Sequence, residues 1–348
     1  MTKLRSVRPL LVAGLLLVAC GTTTITVGGN SDGGLGGSGG SGGQGGQGGG
    51  GSTLDGGSCP ALPAAPSDGG VAFAPAFGSL YSVYELGPPP GVPGPLGGCV
   101  ILSSDRSTLW IAGASESTGG GLYRIKIRRD ACNHLVGYDG AATKVATTPY
   151  IDANLLEVAG GSILYTGWPV YELSQIRVGA TAPLYTLDLR TRGQTGSSAG
   201  GLGVVPRALA GGGGLRMVGW PDGQWHALNH SIDAGVYSVA SVAPVPGVVL
   251  PNGPGGFAYV PSGSPGFPIQ SVIVAEWSVD RVGVYEVNGQ GNPLPATRRD
   301  FFTRFPKPWG AYFEPETGDY LFLTWLGGGV ATDSVFVVQG FAKPPEIN

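Results

Sequence analysis

The chain has 348 residues, 65 of them Gly and 29 Pro, with 12% charged residues and a formal charge of −3. Gly and Pro together make up about 27%, a low-complexity level, but 18 of the glycines crowd into positions 28–57, so the remainder can bury a core. A slightly acidic chain with few charges argues against a nucleic-acid partner bound through phosphate neutralisation.

The first segment, 1–19, opens with Lys3, Arg5 and Arg8 and continues through an apolar stretch from Pro9 to Ala19. About 11 apolar residues are too few to span a ~30 Å hydrocarbon layer as a helix, so the segment reads as a cleaved signal peptide. It ends in Leu17-Val18-Ala19-Cys20-Gly21, which resembles the lipobox of bacterial lipoproteins. That resemblance implies that Cys20 becomes the lipidated first residue of the mature protein. Gly21 after it, rather than Asp, implies an outer-membrane destination in many Gram-negative bacteria. Two or more acyl chains, at ~0.8 kcal/mol per buried CH₂, give stable anchoring. Removing 1–19 leaves 17 basic and 23 acidic residues, a charge of −6, which opposes any further adhesion to anionic surfaces.

Residues 20–57 follow as a lipidated Cys and a Gly-rich tether. They carry almost no apolar side chains, so nothing offsets the entropy of ordering them. A Gly-rich coil of that length spans roughly 30–35 Å. Its G-x-S-x-G and G-x-G-x-x-G matches are products of composition.

From 58 to 348 the chain repeats. Leu109–Ala114, Ile163–Trp168, Leu215–Trp220, Ile273–Trp277 and Leu321–Trp325 are apolar runs that close on Trp, with Ala114 taking that place in the first copy. The closing positions lie 54, 52, 57 and 48 residues apart. Upstream of each run lies a strand-like piece, beginning at Cys99, Asn154, Gly201, Gly256 and Gly310. Gly121–Ile127, Arg281–Val287 and Ser334–Val338 supply strands downstream, with turn chemistry at Asn288–Pro293 and Glu316–Asp319. Sustained 3.6-residue periodicity is lacking, so the expectation is an all-β propeller of five blades in units of about 50 residues. The last copy has three strands, and Leu80–Leu86 is expected to supply its fourth and close the ring. Alternatively, 71–98 forms a degenerate sixth blade, suggested by Val-Tyr-Glu recurring at 83–85, 170–172 and 284–286.

Residues 253–341 resemble the NHL and SMP-30/gluconolactonase-like propellers. The resemblance rests on Gly256 and Gly310, on the turn at 315–320, and on Val284–Val287. It implies propeller ancestry and, for the lactonase members, a Ca²⁺ in the central channel. Asp152, Asn154 and Asn252 are the polar residues at inner-strand starts. Two amides and one carboxylate fall short of the six to eight oxygens Ca²⁺ takes, so no cofactor is expected. A metal-dependent lactonase-like hydrolase is the alternative function.

Gly196–Gly200 fits G-x-S-x-G but lacks the strand before and helix after that a nucleophile elbow needs. His134, His226 and His230 read as surface residues without a metal-ligand set. Arg124, Lys126 and Arg128 alternate on one face of a strand read as an outer, solvated one. Cys59, Cys99 and Cys132 are an odd number in an oxidising compartment. On the five-blade frame, Cys99 and Cys132 lie at opposite ends of a blade, some ~20 Å apart and beyond bridging reach. Cys59–Cys132 is therefore the expected disulfide, and Cys99 a buried thiol.

Trp168, Trp220, Trp277 and Trp325 all close second strands, and so lie toward one face of the ring. They either pack between blades or stack on sugar rings. The sequence thus points to an exported, monomeric, membrane-anchored binding or scaffold module, for a glycan or an envelope protein. Its site is expected near those four Trp residues and Asp152, Asn154, Asn252 and Trp309.

Overall fold

A computed structural model describes residues 70–327 and 332–344. These form twenty-one strands and three short 3₁₀ turns. A two-residue strand β1 (Ala72–Phe73) and β2 (Ser82–Gly87) come first. Blade one is β3 (Cys99–Ile101), β4 (Thr108–Gly113), β5 (Gly121–Arg129) and β6 (Leu135–Thr147). Blade two is β7 (Ile151–Val158), β8 (Ser162–Gly167), β9 (Glu172–Arg177) and β10 (Tyr185–Asp188). Blade three is β11 (Ala199–Val204), β12 (Leu215–Gly219), β13 (Gln224–Asp233) and β14 (Val236–Val249). Blade four is β15 (Pro254–Tyr259), β16 (Ser271–Glu276), β17 (Arg281–Glu286) and β18 (Arg299–Arg304). Blade five is β19 (Pro308–Phe313), β20 (Tyr320–Thr324) and β21 (Val335–Gln339), completed by β2.

Five antiparallel sheets therefore stand in a ring, their strands running in sequence order from the axis outward except for the N-terminal β2 and β1, which lie outermost in blades five and four. The N-terminal strand closes it as the repeat pattern requires: Ser82 pairs with Gln339 and Tyr84 with Val337. Among the described residues there is no sixth blade. β1 adds a fifth strand to blade four instead, where Phe73 stacks on Phe302 with centroids 4.4 Å apart. The recurring Val-Tyr-Glu falls in a fourth strand at 83–85, at the entry of a third strand at 170–172 and inside a third strand at 284–286. It marks β propensity, not homologous positions.

Each strand buries alternate side chains against the neighbouring blade, because successive residues point to opposite faces. Five apolar clusters result, and each is centred on an interface between adjacent blades. In β5, Tyr123, Ile125 and Ile127 are buried while Arg124, Lys126 and Arg128 are exposed. The solvated face is as expected, but β5 is the third strand of its blade and β6 the outer one.

At the axis the inner strands nearly touch. A Cβ on Gly256 would stand 2.6 Å from the carbonyl oxygen of Trp309, so that position admits only glycine. Cys99 is a buried free thiol, its pKa pushed up by burial. Cys132 is disulfide-bonded; Cys59, its expected partner, lies outside the described residues, as do Cys20 and the whole of 1–57.

Candidate functional site

The first and second strands of each blade meet at one face of the ring, called here the upper face. A common backbone bond forms there. The amides of Trp168, Trp220, Trp277 and Trp325 donate to the carbonyls of Tyr150, Ser198, Gly253 and Lys307, each just ahead of an inner strand. That bond fixes the direction in which each indole leaves its strand.

The four indoles form an arc over blades two to five. Trp168 and Trp220 meet edge to face at 5.3 Å, Trp220 and Trp277 at 5.8 Å, and Trp277 and Trp325 at 5.7 Å. All four are half-buried. They cement neighbouring blades, as one reading of the sequence had it, and still present ring surface, as the other had it. Lys307 lies over the Trp277 ring at 4.6 Å and pairs with Asp280 at 3.0 Å.

Trp309 sits inside the arc, 3% exposed, and touches both Trp220 and Trp325. Its indole N–H donates to Asp152 Oδ1 at 3.0 Å, so it reaches across the axis from blade five to blade two. Asn154 fills the channel too. Its Nδ2 donates to the carbonyls of Phe257 and Ala311, and its Oδ1 accepts from the amides of Leu202 and Phe257. One side chain thereby ties the inner strands of blades three, four and five to blade two.

Asn252 is turned away from the axis. It occupies the left-handed region at φ 72°, which Asn tolerates well, and donates to Glu276 Oε2 at 3.0 Å. Glu276 is fully buried and also accepts from Arg298 and Tyr285. The set Asp152, Asn154, Asn252 does not suit Ca²⁺: both amides are committed to protein partners and one Asp152 oxygen to Trp309. Among the described residues no group of three or more His, Cys, Asp or Glu could hold a metal.

One acidic residue at this face escaped the sequence reading. Blade one carries Ala114 where the others carry Trp, so the arc is open there. Glu116, half-buried and at φ 59°, occupies the gap, and its amide donates to the Ile151 carbonyl at 3.1 Å, beside Asp152. Asp152 is fully buried, and its Oδ2 has no donor. Burial raises the Glu116 pKa to about 7. Burial and the adjoining carboxyl hold Asp152 well above the ordinary carboxylate range. The available signal was the exceptional copy, Ala114-Ser-Glu-Ser-Thr, with an acidic residue just past a missing Trp.

The remaining expectations fall as follows. Ser198 has a structural role, accepting from the Tyr171 amide and donating to the Gly167 carbonyl. His226 is not a surface residue: it is fully buried, with neither ring nitrogen hydrogen-bonded, and desolvation lowers its pKa. The apolar neighbours Trp225 and Leu228 in β13 gave no hint, because β13 packs on both faces near its start. His134 pairs with Asp319 at 2.7 Å, and His230 stacks on Tyr237 at 5.3 Å.

Ring, plug and aromatic arc define a five-bladed β-propeller with a filled axis and an indole-lined upper face. No protein-family model and no curated protein matches the chain. Solved structures similar to it include a luciferin-regenerating enzyme, at 11% identity and TM-score 0.42, over 74% of this chain and 95% of that one. A PQQ-bound aldose sugar dehydrogenase from Streptomyces coelicolor aligns at 14% identity and TM-score 0.40, over 73% and 82%. Virginiamycin B lyase from Staphylococcus aureus aligns at 14% and 0.35, over 73% of each chain. These likenesses concern the fold alone.

Proposed function

We propose that the chain is an exported, lipid-anchored envelope protein whose propeller is a non-enzymatic binding module, with a glycan as its ligand. The observation that carries the reading is the arc of four half-buried indoles on one face. Trp combines a large flat contact area with low conformational entropy, and sugar rings offer C–H faces of matching size. The mature charge of −6 favours a neutral saccharide over an anionic one.

The residues assigned to ligand contact are Trp168, Trp220, Trp277 and Trp325. Asn154 and Trp309 hold the platform from beneath and are not offered to ligand. A glycan array followed by Trp168→Ala and Trp277→Ala tests the reading. The expected result is specific retention of one saccharide class, lost in both variants while the fold persists by circular dichroism. Full binding by both variants would place the ligand elsewhere. A drop in melting temperature equivalent to ~3–5 kcal/mol per indole, as for a fully buried aromatic, would mean that the rings serve packing only.

A further inference from the structure

The gap in the aromatic arc holds the least ordinary chemistry of the molecule. Glu116 is bonded through its amide to the Ile151 carbonyl, the residue next to Asp152, the two carboxyls act on each other electrostatically, and an Asp152 oxygen is buried without a donor. Two ionised carboxylates in contact repel, and a buried one without a partner is costly. A proton between them removes both penalties. We infer that Asp152 carries a proton at neutral pH, donates it to Glu116, and so latches the 114–120 loop onto the mouth of the propeller.

The surroundings offer Asp152 the Trp309 indole and the Ala153 amide as neutral donors, and no positive charge to either carboxyl. Neither carboxyl belongs to any ion pair among the described residues. From blade five, Trp309 supplies one neutral N–H to Oδ1. Asp333, bonded to the amides of Leu96 and Leu326, is the carboxyl on the segment that adjoins Gly97, and it adds no positive charge. Lys307 is engaged with Asp280. Lys144, packed against Gly121 at the foot of the loop, pairs with neither carboxyl. Ser115 beside the pair is 2% exposed, and its Oγ has no partner.

The loop has a seat to be released from. The amide of Glu116 donates to the Ile151 carbonyl at 3.1 Å, that of Tyr150 to Ser117 at 2.7 Å, and that of Thr148 to Gly120 at 3.0 Å. Ala114, Glu116 and Tyr150 are all held at positive φ, 47°, 59° and 59°, conformations that persist only when the surroundings impose them. Losing the proton to solvent would leave two carboxylates repelling under this strained seat. Since burial raises the folded-state pKa of both groups above the unfolded values, their stabilising effect is complete below about pH 4. It is lost progressively as pH rises through about 7 and beyond.

The test uses the full chain in detergent, with Asp152→Asn and Glu116→Gln. Either amide supplies an N–H where the proton stood. Difference infrared spectroscopy on wild type at pH 7 should show the C=O stretch of a protonated carboxyl that disappears on alkalinisation, is missing from Asp152→Asn and is shifted in Glu116→Gln, where its acceptor has changed. The melting temperature of wild type should fall from pH 5 to pH 9 relative to either variant. A wild type without that band overturns the inference. So does a band that survives in Asp152→Asn, since it would then belong to another carboxyl such as Asp333. Should Asp152→Asn fail to fold, the band in Glu116→Gln decides: a shifted band supports the contact, and an unshifted one overturns it.

Discussion

At the scale of single residues, Asn154 and Trp309 show how a polar and an aromatic side chain hold a ring together. Asn154 makes four hydrogen bonds to backbone groups of three other blades, all buried. Each buried group left without a partner costs about 1–3 kcal/mol, so Asn154→Ala should destabilise by ~3 kcal/mol or more. Asn154→Asp would place an uncompensated charge at the axis and should cost at least as much. Chemical denaturation at neutral pH measures both. A loss below ~1 kcal/mol for the alanine variant would show that the axis relaxes or admits water. The sequence marked Asn154, Asp152 and Trp309 as lying near the axis, since all sit at or near inner-strand starts. It could not show that Asn154 faces protein rather than ligand, because its partners are 48 to 157 residues away.

At the scale of elements, the closing strand has the largest consequence. β2 pairs with β21 over five residue pairs, and Tyr84 OH donates to the Leu135 carbonyl in blade one at 2.8 Å. Without β2, Val335–Gln339 becomes an open edge with unpaired backbone groups, the usual template for pairing between chains. Deleting residues 82–87 should therefore produce aggregates in size-exclusion chromatography. A soluble, cooperatively folding monomer after the deletion would show that β2 is dispensable. The strand itself was legible from its alternation. Its alternative assignment to a sixth blade rested on three copies of Val-Tyr-Glu, and a tripeptide of strand-forming residues says nothing about position within a sheet.

At the scale of the whole molecule, the proposal joins a lipid anchor, a Gly-rich tether and a propeller. Its first part depends on Cys20 alone. Cys20→Ala should abolish lipidation and move the protein from the detergent phase to the aqueous phase in phase partitioning; a variant that still follows the detergent would remove the anchor from the reading. For the propeller, the sequence by itself determined the class and the repeating unit of about 50 residues, and left five blades against six to the structure. These follow from period-two burial and from Gly and Pro at turns, which act over a few residues and leave a local trace. It also set the four Trp residues on one face, because strand direction follows from strand count. Tertiary structure alone decided which of these residues meet. Glu116 finds Asp152, and Asp152 finds Trp309 at a separation of 157 residues. Asn154 fills the axis, and His226 is buried where the sequence placed it at the surface. Each of these outcomes depends on how closely five blades approach a common axis, and a contact between distant segments has no periodicity to read.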